Sequence, residues 1–158
     1  MSNVSINTIT SEVVVLGAGP AGLSAAVSAH NEGAHVLIIE RETRCGGILK
    51  QCIHDGFGLI RYKEKLTGPE YALRDYKRAE SNNIAILTNT FVVDVKKEAT
   101  KYLLYCVNEQ GAFVVETIAL ILATGCRERT DRQIFLHGER PAGIYTAGLA
   151  QHFVNIDG

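Results

Sequence analysis

The spacing of apolar positions changes several times along this chain, and each change marks an element. Glu12 to Leu16 is a short, almost wholly apolar run, and GAGPAG (Gly17 to Gly22) follows it. A segment rich in small residues then extends to Asn31, with apolar positions recurring at helical spacing. That order predicts strand, glycine turn and helix. Gly33 stands where a helix stop belongs, and Ala34 to Glu40 (AHVLIIE) is apolar, β-branched and ends on an acid, predicting a second strand. A βαβ unit is thus complete within about thirty residues, and a right-handed crossover makes its two strands parallel.

Arg41 to Leu66 shows no period and carries scattered glycines, predicting a long loop. Thr67 to Asn82 reads as a helix: Thr67 is a cap, Pro69 sits early, Glu70 completes a capping box, and Tyr71, Leu73 and Tyr76 offer an apolar face. Ile84 to Leu87, Phe91 to Lys96, Tyr102 to Val107 and Phe113 to Thr117 are predicted strands, the last two joined by a turn at Asn108 to Gly111. They resemble a small antiparallel meander. Ile118 to Ala123 is a further apolar strand ending in Ala123, Thr124 and Gly125, with a mixed, glycine-containing segment beyond.

Composition narrows the function classes. Sixteen basic against seventeen acidic residues, with no long run of either sign, give nothing that favours nucleic acid or an anionic membrane. Met1 to Ser11 lacks the pattern of a signal peptide and reads as a flexible leader, and no apolar run reaches the ~18 residues of a membrane span. A cytoplasmic location is the expectation. The four cysteines, Cys45, Cys52, Cys106 and Cys126, are irregularly spaced and read as thiols.

The strongest chemical signal is Gly17, Gly19 and Gly22 in GxGxxG between a strand and a helix, with Glu40 closing the next strand. In such a unit the first glycine permits a tight turn, the second lets backbone approach a pyrophosphate, and the third allows close helix-to-strand packing. Free N–H groups and the dipole at the helix start favour phosphate charge, and the acid accepts hydrogen bonds from ribose hydroxyls. Glu40 argues against a 2′-phosphate, and hence against NADP, although Arg41 beside it tempers that. Gly46 and Gly47 suit a second close approach to a cofactor or an ordinary flexible turn. Thr124 and Gly125 face a ligand crevice if the last strand is parallel, or else only end it.

Taken in order around the meander, these motifs resemble the FAD half of the pyridine nucleotide-disulfide oxidoreductase superfamily. Gly46 to Leu59, Lys63 to Ala72 and Gly138 to Gly148 are similar, more narrowly, to FAD-dependent dehydrogenases related to hydrogen cyanide synthase and opine oxidase flavin subunits, and to oxidoreductases encoded beside anaerobic glycerol-3-phosphate dehydrogenases. The resemblance implies an α/β fold: a Rossmann-like FAD/NAD(P)-binding domain with a parallel sheet and a small antiparallel meander. It implies FAD with its pyrophosphate at Gly17, Gly19, Pro20, Ala21 and Gly22, its adenosine ribose at Glu40, contacts from Arg41, Gly46, Gly47, Thr124 and Gly125, and the flavin near the long loop.

In disulfide reductases of the superfamily a redox cysteine pair follows the glycine pair, at positions that here hold Leu49 and His54. Neither Cys45 nor Cys52 takes those places, and with His54 they lack a fourth ligand at zinc spacing, so no metal is expected. Family members are also more than twice as long. The expectation is therefore a truncated FAD-binding domain over residues 12–158, with the NAD(P) site in an absent domain and the open sheet poorly soluble. The function expected is that portion of an oxidoreductase moving hydride between a nicotinamide or small substrate and an acceptor, in company with another oxidoreductase subunit. A single-domain NAD-binding protein and an inactive fragment are the alternatives. No catalytic residue is assigned: His54, Asp55 and Tyr62 stand near the expected flavin, and Arg127 and Arg129 suit a phosphate but read first as a solvated turn.

Overall fold

The computed structural model describes residues 7–139 and 141–158. Six strands form one sheet in the order β3-β2-β1-β6-β5-β4: β1 is Asn7–Leu16, β2 Val36–Ile39, β3 Ala85–Leu87, β4 Phe91–Lys97, β5 Tyr102–Asn108 and β6 Gly111–Leu122. The pairs β1·β2, β2·β3 and β1·β6 are parallel, whereas β4·β5 and β5·β6 are antiparallel. The chain is therefore an α/β protein with a parallel half and a meander half, as the sequence pattern predicts.

Alternation along the strands sorts the core into two faces. Val15 and Ile38 point to the side covered by α1 (Pro20–Asn31) and α2 (Gly68–Ser81), where they meet Leu23, Ala26, Val27 and Ala79. Val14, Leu37 and Ile39 point the other way and are buried against Leu104, Cys106 and Val115 of the meander. The sheet thus supplies both of its own covers, helices on one face and its own curled meander on the other. Burial raises the Cys106 thiol to about 11, so it behaves as a small apolar side chain.

Three expectations are corrected. The strand expected from Glu12 begins at Asn7, because Asn7 to Ser11 of the polar leader pair with Phe113 to Thr117; Met1 to Ile6 lie outside the described residues. The two strands expected on either side of Thr117 are one continuous strand, β6. Its first half pairs with both β5 and β1, and its second with β1 alone. At the junction the buried Ser11 and Thr117 hydroxyls donate to the carbonyls of His35 and Glu12, each at 2.9 Å, keeping polar groups satisfied where the halves meet. Finally, the long loop contains a 3₁₀ turn at Gly47–Gln51 and an antiparallel bridge between Phe57 and Leu66.

The α2 cap forms as predicted. Thr67 accepts from the Glu70 N–H, and the Glu70 carboxylate accepts from the Thr67 N–H at 2.7 Å. The mixed C-terminal segment ends in α3 (Ala147–His152) and a π-helical turn at Phe153–Asp157. No helix among the described residues is long and apolar enough to cross a membrane.

If the meander is a structural cover rather than an appendage, truncating its most buried leucine must destabilise the whole domain. Leu104→Ala is expected to cost about 2–5 kcal/mol in chemical denaturation, and a single cooperative transition at lower denaturant would report it.

Candidate functional site

All three glycine signals meet at the carboxyl ends of β1 and β6. Gly17 follows β1 with φ +105°, a conformation that L side chains rarely adopt, and a Cβ there would strike the carbonyl oxygen of Ala123. A Cβ at Gly22 would overlap the carbonyl oxygen of Gly17. Close packing of the α1 first turn on the glycine turn therefore depends on both residues, and the Ala123 to Gly125 turn is the third wall. Ala123 N–H donates to Leu16 at 2.9 Å, and Thr124 and Gly125 stand beside it at the surface, Gly125 at φ +71°.

The second glycine pair reaches the same place from the long loop. Gly46 N–H donates to the Ala18 carbonyl at 2.8 Å, and a Cβ on Gly47 would lie 3.1 Å from the Cα of Gly19. Gly46 at φ +117° also lets α2 approach, since its Cβ would lie 2.9 Å from that of Ala72. The flexible-turn alternative for Gly46 and Gly47 thus gives way to a tightly seated backbone crossing.

Gly19 differs from these. Its φ of -73° suits any residue, and a Cβ there would find no protein atom closer than 3.9 Å. Neither backbone conformation nor protein packing requires glycine at this position.

Glu40 follows β2 and is only 8% exposed. Its Oε2 accepts from Ala18 N–H at 2.7 Å and its Oε1 from Glu42 N–H at 2.9 Å, the pairing a buried carboxylate needs. Each oxygen keeps a lone pair for another donor. Helix α1 opens with Pro20 at its start, no side-chain cap and no acid in its first turn, so the N–H groups of Ala21 and Gly22 have no intrahelical acceptor. The contrast with the fully capped α2 is direct: one helix start is closed by its own side chains and the other is left open.

Arg41 is exposed, with its guanidinium 3.9 Å from the Glu42 carboxylate. Sequence reasoning missed Lys50, which donates to the Glu42 carboxylate and to the Arg44 carbonyl at 2.8 Å, closing the loop between Glu40 and the 3₁₀ turn. Its charge and hydrogen bond hold the Glu42 carboxyl below the usual range. The spacing of eight residues carries no local signature that would have found it.

The remaining polar candidates separate. His54 is exposed against the Asp55 carbonyl and Phe57, and Asp55 pairs at the surface with Lys65. Tyr62 donates to Asp75, and burial together with that bond raises its phenol. Arg127 and Arg129 are exposed, while Glu128 between them accepts from Gly148 N–H at the start of α3, and its bonds to Thr146 and Gly148 keep its carboxyl low. The turn is therefore partly structural. All four cysteines are free; Cys45 packs into the core beside Glu40, and burial raises its thiol, while Cys52 donates to the Ile48 carbonyl. Among the described residues no His, Cys, Asp and Glu side chains gather as a metal site.

Residues 11–151 match the model of the pyridine nucleotide-disulphide oxidoreductase family. The chain belongs to that family. It is 31% identical over 169 residues to an opine oxidase subunit of Agrobacterium tumefaciens, covering 96% of this chain and 31% of that protein. It is 32% identical over 122 residues to hydrogen cyanide synthase subunit HcnB of Pseudomonas protegens, covering 74% and 25%. Among solved structures it resembles a thioredoxin reductase from Streptococcus pyogenes (TM-score 0.64, 26% identity, 77% of this chain and 37% of that one). Its backbone follows an L-proline dehydrogenase from P. horikoshii over 96% of its length and 29% of that chain, at TM-score 0.78 and 18% identity, which shows the fold. The chain therefore spans about a third or less of the curated relatives named here.

Two measurements test the geometry of this member of the family. Gly22→Ala is expected to cost about 1–3 kcal/mol or more through overlap with the Gly17 carbonyl, read as a fall in denaturation midpoint. The Glu42–Lys50 pair should stabilise by about 1 kcal/mol or less at neutral pH. Because the folded carboxyl is depressed, that contribution is present above the unfolded carboxylate pKa and disappears as pH falls through the lower folded value. Lys50→Met should then differ in stability from the parent at neutral pH and converge with it in acid; a difference independent of pH would remove the pair as its cause.

Proposed function

We propose that the glycine cradle binds FAD and that this domain is the FAD-binding part of an oxidoreductase. The observation that carries the reading is Gly19. Gly17 and Gly22 are glycine because of protein atoms, whereas nothing in the protein asks for glycine at position 19. The bare Cα leaves room for a group to lie against it, at the open start of α1 and opposite Gly47.

A pyrophosphate fits that place. The N–H groups of Ala21 and Gly22, and the positive end of α1, meet its charge, and Pro20 presets the helix start at a position where a missing N–H costs nothing. Glu40, held in orientation by Ala18 and Glu42, accepts from the ribose hydroxyls with its remaining lone pairs. The walls formed by Gly46 and Gly47 and by Thr124 and Gly125 favour a long flavin dinucleotide, reaching beyond the βαβ unit, over a bare NAD site. Arg41, exposed beside Glu42, would be free to reach the cofactor from the rim. Bound there, FAD supplies two-electron hydride chemistry; the part of this chain is to bind and orient it and to keep water from its phosphates.

In this reading the reaction passes hydride between a nicotinamide cofactor or a small substrate and an acceptor. The nicotinamide and the substrate would be bound outside the glycine cradle, and a second oxidoreductase subunit is the expected partner. Support for the last comes from relatives named as subunits, those of opine oxidase and hydrogen cyanide synthase among them. The absence of any long apolar helix among the described residues is compatible with a cytoplasmic setting.

The test is visible absorbance of the purified chain after addition of FAD and desalting. Near-stoichiometric flavin bands are expected, and a colourless chain would refute FAD binding by this domain. Gly19→Ser sharpens it. Serine is a good cap, so the fold should keep its stability or gain a few tenths of a kcal/mol, while its hydroxyl occupies the N–H groups the pyrophosphate needs. FAD retention should fall by about tenfold or more. Equal loss of stability and of flavin would point to a purely structural glycine.

A further inference from the structure

Helix α2 contains a buried acid that the cradle does not use. Asp75 is 1% exposed, in the layer between α2 and the loop. Its Oδ1 accepts from the Tyr62 hydroxyl at 2.5 Å and lies 3.1 Å from the Arg61 guanidinium and 3.5 Å from that of Arg78. Oδ2 is buried without a partner among the described residues, so the hydrogen bonding of this carboxylate is concentrated on one oxygen. Two of the three donors come from the same short loop.

That loop, residues 57–66, is closed by the Phe57–Leu66 bridge and turns at Gly58, whose φ is +83°. Leu66 anchors its end, buried at 7% exposure, whereas Leu59 and Ile60 at its tip are exposed, Ile60 by 89%. The tip is fixed by polar contacts. Arg61 uses one arm for Asp75 and donates with the other to Ser24 in α1, at 3.1 Å, one turn past the open helix start. Tyr62 is packed edge-on against Tyr71, with the Arg74 guanidinium 4.9 Å from its ring centre, and Arg74 in turn holds Glu64 of the loop at 2.7 Å.

We infer that Asp75 is a positioning residue: through Arg61 and Tyr62 its buried carboxylate fixes the loop 57–66 against α1 and α2, and so sets the wall beside the cofactor cradle. The cradle and the loop share one support, because α2 also carries Ala72 against Gly46 one turn earlier. A buried carboxylate that loses its partners is costly, so the bonds to Arg61 and Tyr62 favour the docked loop. The part of this inference that concerns the flavin rests on the reading of the cradle as an FAD site.

Hydrogen exchange on the full 158-residue chain without flavin tests the docking. In Asp75→Ala the amides of Phe57, Tyr62 and Leu66, bonded within the loop in the parent, should exchange roughly tenfold faster or more, while those of β1 and β2 stay protected. Arg61→Ala combined with Tyr62→Phe removes the loop donors without touching α2 and should release the same amides, which keeps the test decisive if the Asp75 variant does not fold. Protection in that double variant equal to the parent would overturn the inference, as would loss of protection spread evenly over the chain. With FAD added, the released loop should blur the fine structure of the bound flavin's visible band relative to the parent; an unchanged spectrum from a loop shown to be released would end the positioning role. A parent chain that retains no flavin would instead count against the FAD reading, leaving the docking itself decided by exchange.

Discussion

The peptide groups of one alanine hold the site together. Ala18 is fully buried between Gly17 and Gly19; its N–H donates to the Glu40 carboxylate and its carbonyl accepts from Gly46. Three segments far apart in sequence, the glycine turn, the end of β2 and the start of the long loop, are thereby fixed at one point. A buried carboxylate and a buried carbonyl are each costly alone, and here each accepts from the N–H of another segment, Ala18 for Glu40 and Gly46 for Ala18. The side chain of Ala18 contributes only its small size. The site is thus a backbone construction, and acidic residues enter it only where the backbone offers donors.

Around that point the fold divides its labour between two supports. Strand β6 runs unbroken from the meander to the Ala123 turn, so the cover of one sheet face and one wall of the cradle are the same piece of chain. Helix α2 does the same on the other side, with Ala72 behind the Gly46 turn and Asp75 behind the loop. Neither wall of the cradle can shift without disturbing a packed layer. The outer edge of β6 at Ile118 to Leu122 pairs with no strand among the described residues and carries two of the more exposed apolar side chains, Ile118 and Leu122.

Much of this was legible in the sequence because it is local. A glycine spacing, a capping box at Thr67 and Glu70, and the turn at Asn108 to Gly111 each act over a few residues, and each formed where its pattern stands. The extension of β1 to Asn7 was hidden because its polar residues lie next to the meander and carry no continuous apolar signal. The unity of β6 was hidden because the side-chain pattern changes at Thr117, where its neighbours change from two strands to one. Side chains that act across long separations left no trace at all: Lys50 reaching Glu42, Glu128 capping α3, and Asp75 gathering the loop. Tyr62 was noticed for its chemistry, whereas its bond to Asp75, thirteen residues away, had no signature in the sequence.

The three glycines of one motif answer to different partners, and this separates two kinds of selection that are usually confounded. Positions 17 and 22 answer to the fold, so a descendant that abandoned its ligand would still keep them glycine. Neither backbone conformation nor packing asks for glycine at position 19, so in a descendant without a ligand it would be free to become serine or alanine at little cost. If the cradle holds a ligand as proposed, the residue at that single place among distant copies of this domain records whether it is still in use.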